Sequence, residues 1–131
     1  MIAACGNNCS VCPRYAVDKS NEELRKTAEL WFKIGYRNRV VSEEDIACFG
    51  CNPKNWCRYN VVLCCDTKDI NNCSECEDFP CNNMKKCFKI TKSFEPKCKE
   101  VCTQEEYQQI KTAFFEKEKN LKSLQNKTSN Q

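Results

Sequence analysis

The chain contains three tight groups of cysteines and no histidine. The groups are Cys5-x3-Cys9-x2-Cys12, Cys48-x2-Cys51 and Cys73-x2-Cys76-x4-Cys81. Two thiolates separated by two residues can reach one metal ion from a single tight turn, and two such turns complete a tetrahedral site. The spacing therefore predicts a fold that is held together by sulfur.

The apolar core available to this chain is small. Leu, Ile, Val and Phe make up 25 of the 131 residues, about 19 %, whereas cysteine alone contributes 14. A core of this size needs additional cross-links, which cysteine supplies as disulfides or as metal sites. A structural zinc site contributes about 10–16 kcal/mol of folding free energy in finger-sized peptides. We therefore expect cross-links through sulfur to provide much of the stability.

The N-terminal sequence favours metal over disulfides. Met1 to Ala4 lead directly into Cys5 without the basic and apolar regions of a secretory signal. No segment approaches the roughly 18 apolar residues of a membrane span. We therefore expect a cytoplasmic protein that does not enter a membrane. Thiols stay reduced in that compartment and C-x-x-C pairs there typically bind metal, while structural disulfides and free redox thiols are the alternatives.

The second and third groups match the spacing of a four-cysteine zinc site. Cys48/Cys51 and Cys73/Cys76 form two C-x2-C pairs with 21 residues between them. In a swapped arrangement each pair is partnered by the first cysteine group instead. Thiolate ligation alone does not separate zinc from an iron–sulfur cluster.

The first group offers three ligands, so a fourth has to come from a distant segment. Cys81 and Cys64 are the candidates. The complete set of predicted metal ligands is Cys5, Cys9, Cys12, Cys48, Cys51, Cys64, Cys73, Cys76 and Cys81. We expect them to hold zinc, as two ions, with an iron–sulfur cluster as the alternative. The spacing assigns no role to Cys57, Cys65, Cys87, Cys98 and Cys102.

Two capping boxes predict helix starts. Ser20 and Glu23 form the first, and Gly35 is a stop signal for the same helix. Its apolar face consists of Leu24, Ala28 and Trp31, with Leu30 and Ile34 beside them. Thr103 and Glu106 form the second box. The series Tyr107, Ile110, Phe114, Leu121 and Leu124 follows at heptad-like spacing and is broken by Lys117.

The remaining segments have weaker patterns. Met84, Cys87, Phe88 and Thr91 recur at helical spacing in a lysine-rich stretch. Residues 37–41 predict a short extended piece, residues 59–63 predict a strand or a buried turn, and Ser42 begins a short helix or an acidic turn. We therefore expect a small metal-stapled α+β or irregular domain with zinc-knuckle loops, two to four helices and little strand.

Composition divides the chain into three parts. Residues 1–95 form a cysteine-rich metal-binding domain, and residues 96–125 form a C-terminal helix that docks on it or provides a dimer seam. Residues 126–131 are expected to be a disordered polar tail. A monomer and a homodimer through the C-terminal helix both remain open.

The cysteine register resembles that of a family of unknown function to which zinc binding is ascribed, domain of unknown function 3795. The matching stretches are Cys5-Gly6-x2-Cys9-x2-Cys12-Pro13-x-Tyr15, Asp45-Ile46-x-Cys48-x-Gly50-Cys51 and Cys73-x2-Cys76-Glu77-Asp78-Phe79-Pro80-Cys81. Eight residues separate Cys64 from Cys73, the first residue of the third stretch. The resemblance covers residues 1–95. Members typically carry Ile-Arg-x-Cys, with another cysteine just upstream, where this chain has Val61-Val62-Leu63-Cys64. Cys57 lies further upstream than that family cysteine and therefore does not match it. The resemblance implies metal binding and no particular activity.

Composition argues against a hydrolytic enzyme. Histidine, the commonest acid–base catalyst, is absent, and an all-cysteine shell closes the coordination position that a catalytic zinc needs. We therefore expect a small metal-binding protein that presents a surface to a protein partner. An iron–sulfur protein in electron transfer or cluster handling and a metal or thiol-redox sensor using Cys65 or Cys87 are the alternatives. Nucleic acid is a disfavoured partner, although lysines interleave with Phe88 and Phe94.

Overall fold

A computed structural model describes residues 2–50 and 59–129. The predicted metal ligand Cys51 lies outside the described residues, as does Cys57, to which no role was assigned. The α-helices are α1 (Asn21–Ile34), α2 (Glu43–Ile46), α3 (Val61–Thr67), α4 (Asn82–Ser93), α5 (Glu95–Val101), α6 (Gln104–Ile110) and α7 (Lys117–Ser129). Short 3₁₀ turns cover Cys9–Val11 and Cys73–Glu75, and a π-helical turn covers Lys111–Phe115.

The expectation of an α+β or irregular domain is wrong. Residues 2–50 and 59–129 contain no strand, and the pairing there consists of two isolated bridges, Ile2 with Asn8 and Tyr15 with Cys48. Single bridges cannot form a sheet that buries an apolar face, so helices provide the core. The chain also contains more helices than the two to four that were expected.

The segment predicted as a strand or buried turn, residues 59–63, instead leads into helix α3. Asn60 adopts a left-handed conformation, with φ of 53°, and the helix begins at Val61. The β-branched residues Val61 and Val62 favour a strand locally. However, Val61 and Cys65, one helical turn apart, are both buried, with 1 % and 3 % of their surfaces exposed. Burial of that face therefore outweighs the local propensity.

Helix α1 confirms its prediction. The Ser20 side chain accepts a hydrogen bond from the Glu23 backbone N–H, and Gly35 ends the helix with φ of +99°. The predicted apolar face is buried in a first core cluster. Its fully or largely buried members are Leu24, Ala28, Leu30, Trp31, Ile34, Ile46, Cys98, Ile110, Phe115 and Ala16.

Helices α2, α4 and α6 also begin where the sequence predicts helical turns. Ser42 caps α2, and Thr103 and Glu106 form the expected capping box of α6. Helix α4 buries Met84 and Phe88 in a second core cluster. That cluster contains Ala4, Val61, Cys65, Cys73, Met84, Phe88 and Leu121.

Helix α7 packs on the N-terminal cysteine loop and extends to Ser129, into the segment expected to be a disordered tail. Leu121 is completely buried in the second core cluster. The Asn120 side chain donates a 3.0 Å hydrogen bond to the Gly6 carbonyl oxygen, and the Asn8 N–H donates to the Ala113 carbonyl oxygen at 2.9 Å. The C-terminal segment therefore helps to position the first cysteine group.

None of the helices within the described residues is long and apolar enough to cross a membrane.

Candidate metal centre

Cys73 lies at the junction of the first and third cysteine groups. It begins a 3₁₀ turn that Asn72 and Glu75 stabilise with a capping box. Its backbone N–H donates a 3.0 Å hydrogen bond to the Ala4 carbonyl oxygen, next to Cys5. Only 8 % of its surface is exposed. The fold thus brings two cysteine groups together that are far apart in sequence.

Three further thiols surround Cys73. Cys65 packs with Cys73 in the second core cluster, and Cys5 and Cys81 lie close enough to act on Cys73 electrostatically. Burial is the main reason that the pKa of Cys73 lies well above its usual value, and the neighbouring sulfurs, Cys65 first, raise it further. A bound metal cation would oppose the effects of burial and of the neighbouring sulfurs, because it stabilises the deprotonated form of the thiol.

The two cysteines of the vicinal pair in α3 have different surroundings. Cys65 faces Cys73 and is 3 % exposed, whereas Cys64, the predicted ligand, is exposed. The predicted metal ligands did not include Cys65. The four-residue spacing of Val61 and Cys65 was the available signal, since both residues share one helical face.

Cys64 lies on the outer side of this region with Cys76 and Lys68. The Lys68 ammonium group is 3.1 Å from the Cys76 Sγ and 3.7 Å from a carboxylate oxygen of Asp78. The hydrogen bond to Cys76 is the main cause of a raised Lys68 pKa, and Cys64 adds to it electrostatically. The third cysteine group therefore directs Cys73 inward, whereas Cys76 contacts an exposed lysine.

The second cysteine group is joined to the end of the first. Tyr15 and Cys48 form a parallel bridge, in which the Cys48 N–H donates to the Arg14 carbonyl oxygen and the Ala16 N–H donates to the Cys48 carbonyl oxygen, both at 2.8 Å. Cys12 is buried and lies near Cys48. Burial raises the pKa of the Cys12 thiol, while a backbone hydrogen bond from Arg14 opposes the shift.

These contacts correspond to the swapped arrangement of the cysteine pairs. The structure places Cys48 beside Cys12 and Cys73 near Cys5 and Cys81. Cys9 is half-buried in the 3₁₀ turn Cys9–Val11. Cys51 lies outside the described residues. Within residues 2–50 and 59–129, no three cysteine or acidic side chains are close enough together to hold a metal ion.

The remaining described cysteines have other nearest partners. Cys87 is buried in α4, with its Sγ 3.7 Å from the ammonium group of Lys117. The sulfurs of Cys98 and Cys102 are 3.5 Å apart at the end of α5. None of the twelve described cysteines forms a disulfide.

Comparison with known proteins identifies the family of this chain. Residues 1–86 match the model of a family described as "Protein of unknown function (DUF3795)". The matched range includes every predicted ligand and ends within α4. No curated protein and no solved structure shows significant similarity to the chain. The resemblance inferred from the cysteine spacing is therefore confirmed, and the chain belongs to the DUF3795 family.

Proposed function

We propose that this protein binds two metal ions through cysteine thiolates and that the ions are structural zinc. The observation that carries the proposal is the convergence of Cys5, Cys65, Cys73 and Cys81 in one largely buried region. Four sulfur donors with no histidine suit a closed tetrahedral zinc site. The membership of a cysteine-rich family is consistent with metal binding.

In this proposal the first ion is held by Cys5, Cys73 and Cys81, with a fourth thiolate from α3 or from the third cysteine group. Cys65 is the favoured fourth ligand because it is buried beside Cys73, whereas Cys64 is exposed and Cys76 contacts Lys68. Rearrangement of these side chains completes the shell when metal binds. Such adjustment is ordinary, because binding of a structural metal is coupled to folding.

The second ion is held by Cys9, Cys12, Cys48 and Cys51. The hydrogen bonds between residues 14–16 and Cys48 support this pairing, since they fix the second cysteine group beside Cys12. Cys9 and Cys12 would then supply two ligands from one turn, and Cys48 and Cys51 would supply two from another, as in other four-cysteine zinc sites. Zinc at both sites supplies folding free energy and no redox chemistry.

The metal-stabilised domain presents its second cysteine loop to a protein partner. Phe49, between Cys48 and Gly50, is 74 % exposed, and Val17 is 47 % exposed on the neighbouring turn. Large apolar side chains at this exposure are available for contact with another protein. Replacement of Phe49 by serine should weaken partner capture and leave the metal content unchanged. If the unaltered protein and Phe49→Ser bind the partner equally well, this loop is not the partner-binding surface.

The metal content of the purified protein tests the main proposal directly. Elemental analysis should find about two zinc ions per chain, and the protein should be colourless. A brown protein with sulfide-to-iron absorption would replace zinc by an iron–sulfur cluster and favour a role in electron transfer. A metal-free protein that resists chelator and unfolds with reductant would overturn both forms, because disulfides would then be the cross-links.

A further inference from the structure

A second pair of thiols lies outside the family-matched segment. The Sγ atoms of Cys98 and Cys102 are 3.5 Å apart, one helical turn from each other at the end of α5. The Cys102 N–H still donates to the Cys98 carbonyl oxygen at 3.0 Å. Both residues follow the matched range, which ends at residue 86.

We propose that Cys98 and Cys102 form a redox-active dithiol that a hydroperoxide oxidises to a disulfide. This site goes beyond the proposed metal function and does not depend on it. The Cys102 sulfur attacks the peroxide oxygen, which breaks the O–O bond, releases water and leaves a sulfenic acid. The Cys98 sulfur then attacks the sulfenic sulfur, which forms the S–S bond and releases a second water. Two thiols and one hydrogen peroxide thus give one disulfide and two waters.

Exposure assigns the two roles. Cys98 is completely buried in the first core cluster, whereas Cys102 is partly exposed and packs at its edge. A peroxide from solvent therefore reaches Cys102 first. Cys98 is shielded from solvent but lies within contact distance of the sulfur that has reacted, which is the position of a resolving cysteine.

The electrostatics of the pair agree with that order. Burial raises the pKa of Cys98 to about 12, and the hydrogen bond with Cys102 adds to the shift. Burial also raises the pKa of Cys102, but there the hydrogen bond with Cys98 opposes the shift. The hydrogen bond within the pair therefore favours ionisation of Cys102 over that of Cys98, and the thiolate is the nucleophile.

The backbone at the second cysteine permits the bond. A disulfide requires sulfurs about 2.05 Å apart, so the two atoms have to approach by about 1.5 Å from their 3.5 Å separation. Cys102 ends α5 with φ of −100° and ψ of 155°, outside the helical region. Its side chain can therefore rotate without breaking a continuing helix.

Trypsin provides a direct test, because Lys99 lies between the two cysteines. The metal-loaded full chain is treated with hydrogen peroxide, alkylated and digested without reductant. We expect the peptide Cys98–Lys99 to be joined to the peptide covering residues 100–111, with a mass two hydrogens below the sum of the two peptides. Reductant should separate them. Absence of this joined peptide under conditions that oxidise other cysteines would overturn the proposal.

Two variants separate the roles of the sulfurs. In Cys98→Ser, peroxide should leave a sulfenic acid at Cys102 that a dimedone-type reagent traps. In Cys102→Ser, the buried Cys98 should remain a thiol. Trapping at Cys98 instead would contradict the assigned order. Cys87→Ser is the matched control, since it removes another buried thiol, and the joined peptide should form as in the unaltered protein.

Discussion

Gly6 packs directly against the backbone carbonyl of Lys117, and the contact leaves no room for a Cβ atom at residue 6. Such an atom would also lie 2.9 Å from the Leu121 Cγ. Gly6 has φ of +96°, a conformation that glycine adopts readily. Because Gly6 follows the predicted ligand Cys5, this contact joins α7 to the candidate metal centre.

Gly6→Ala should therefore destabilise the protein for two reasons. A left-handed conformation costs a non-glycine residue about 1–2 kcal/mol. The overlap with Lys117 and Leu121 adds a further cost of about 1–3 kcal/mol, because backbone has to move. Urea unfolding of the zinc-loaded protein measures the total loss.

Gly35→Ala is the matched control for that experiment. Gly35 has a similar φ of +99°, but a Cβ there would meet nothing within 4 Å. The control should show the conformational cost alone. If both variants lose the same free energy of unfolding, α7 does not press on the cysteine loop as described.

Leu121 should be required for the stability of the cysteine-rich region. Its side chain is completely buried in the cluster that contains Ala4 and Cys73. Leu121→Ala should lower the free energy of unfolding by about 2–5 kcal/mol, because a buried leucine leaves a cavity. Leu63→Ala, at a position 50 % exposed, should change it by about 0.5 kcal/mol or less. An equally small loss at Leu121 would make α7 a separable appendix.

Local signals were sufficient to predict part of this fold. Helix α1 needed only the Ser20 cap, the Gly35 stop and an apolar face at helical spacing, and all three are present in the structure. The capping box of α6 was equally readable from Thr103 and Glu106. In each case the residues that decide the structure lie within a few positions of one another.

Other features depend on contacts that are distant in sequence. The π-helical turn Lys111–Phe115 changes the phase of the C-terminal apolar series. As a result Lys117, which interrupts the heptad pattern, is buried beside Cys87 with only 7 % of its surface exposed. Likewise, Cys65 faces Cys73 only because residues 61–67 form a helix. Neither outcome follows from local propensity.

The metal content of α3 variants should identify the fourth ligand of the first site. Cys65→Ser should lose about one of two zinc ions, because three thiolates leave a tetrahedral shell open. Cys64→Ser should retain both ions, since this side chain is exposed on the side of Lys68. Elemental analysis of the two purified variants distinguishes them. The reverse pattern would assign the ligand to Cys64 and leave Cys65 as a packed core residue.

Stability should fall as the pH rises above the ordinary range of thiols. The pKa of Cys98 is raised from 9.0 to about 12, mainly by burial. Between these values the unfolded chain releases this proton and the folded chain keeps it, so the contribution is full below about pH 9 and is lost as the pH approaches 12. Urea unfolding at several pH values between about 8 and 11 measures the slope. In Cys98→Ser the slope should be shallower by up to about one proton per molecule, and parallel curves for the two proteins would show that Cys98 ionises equally in both states.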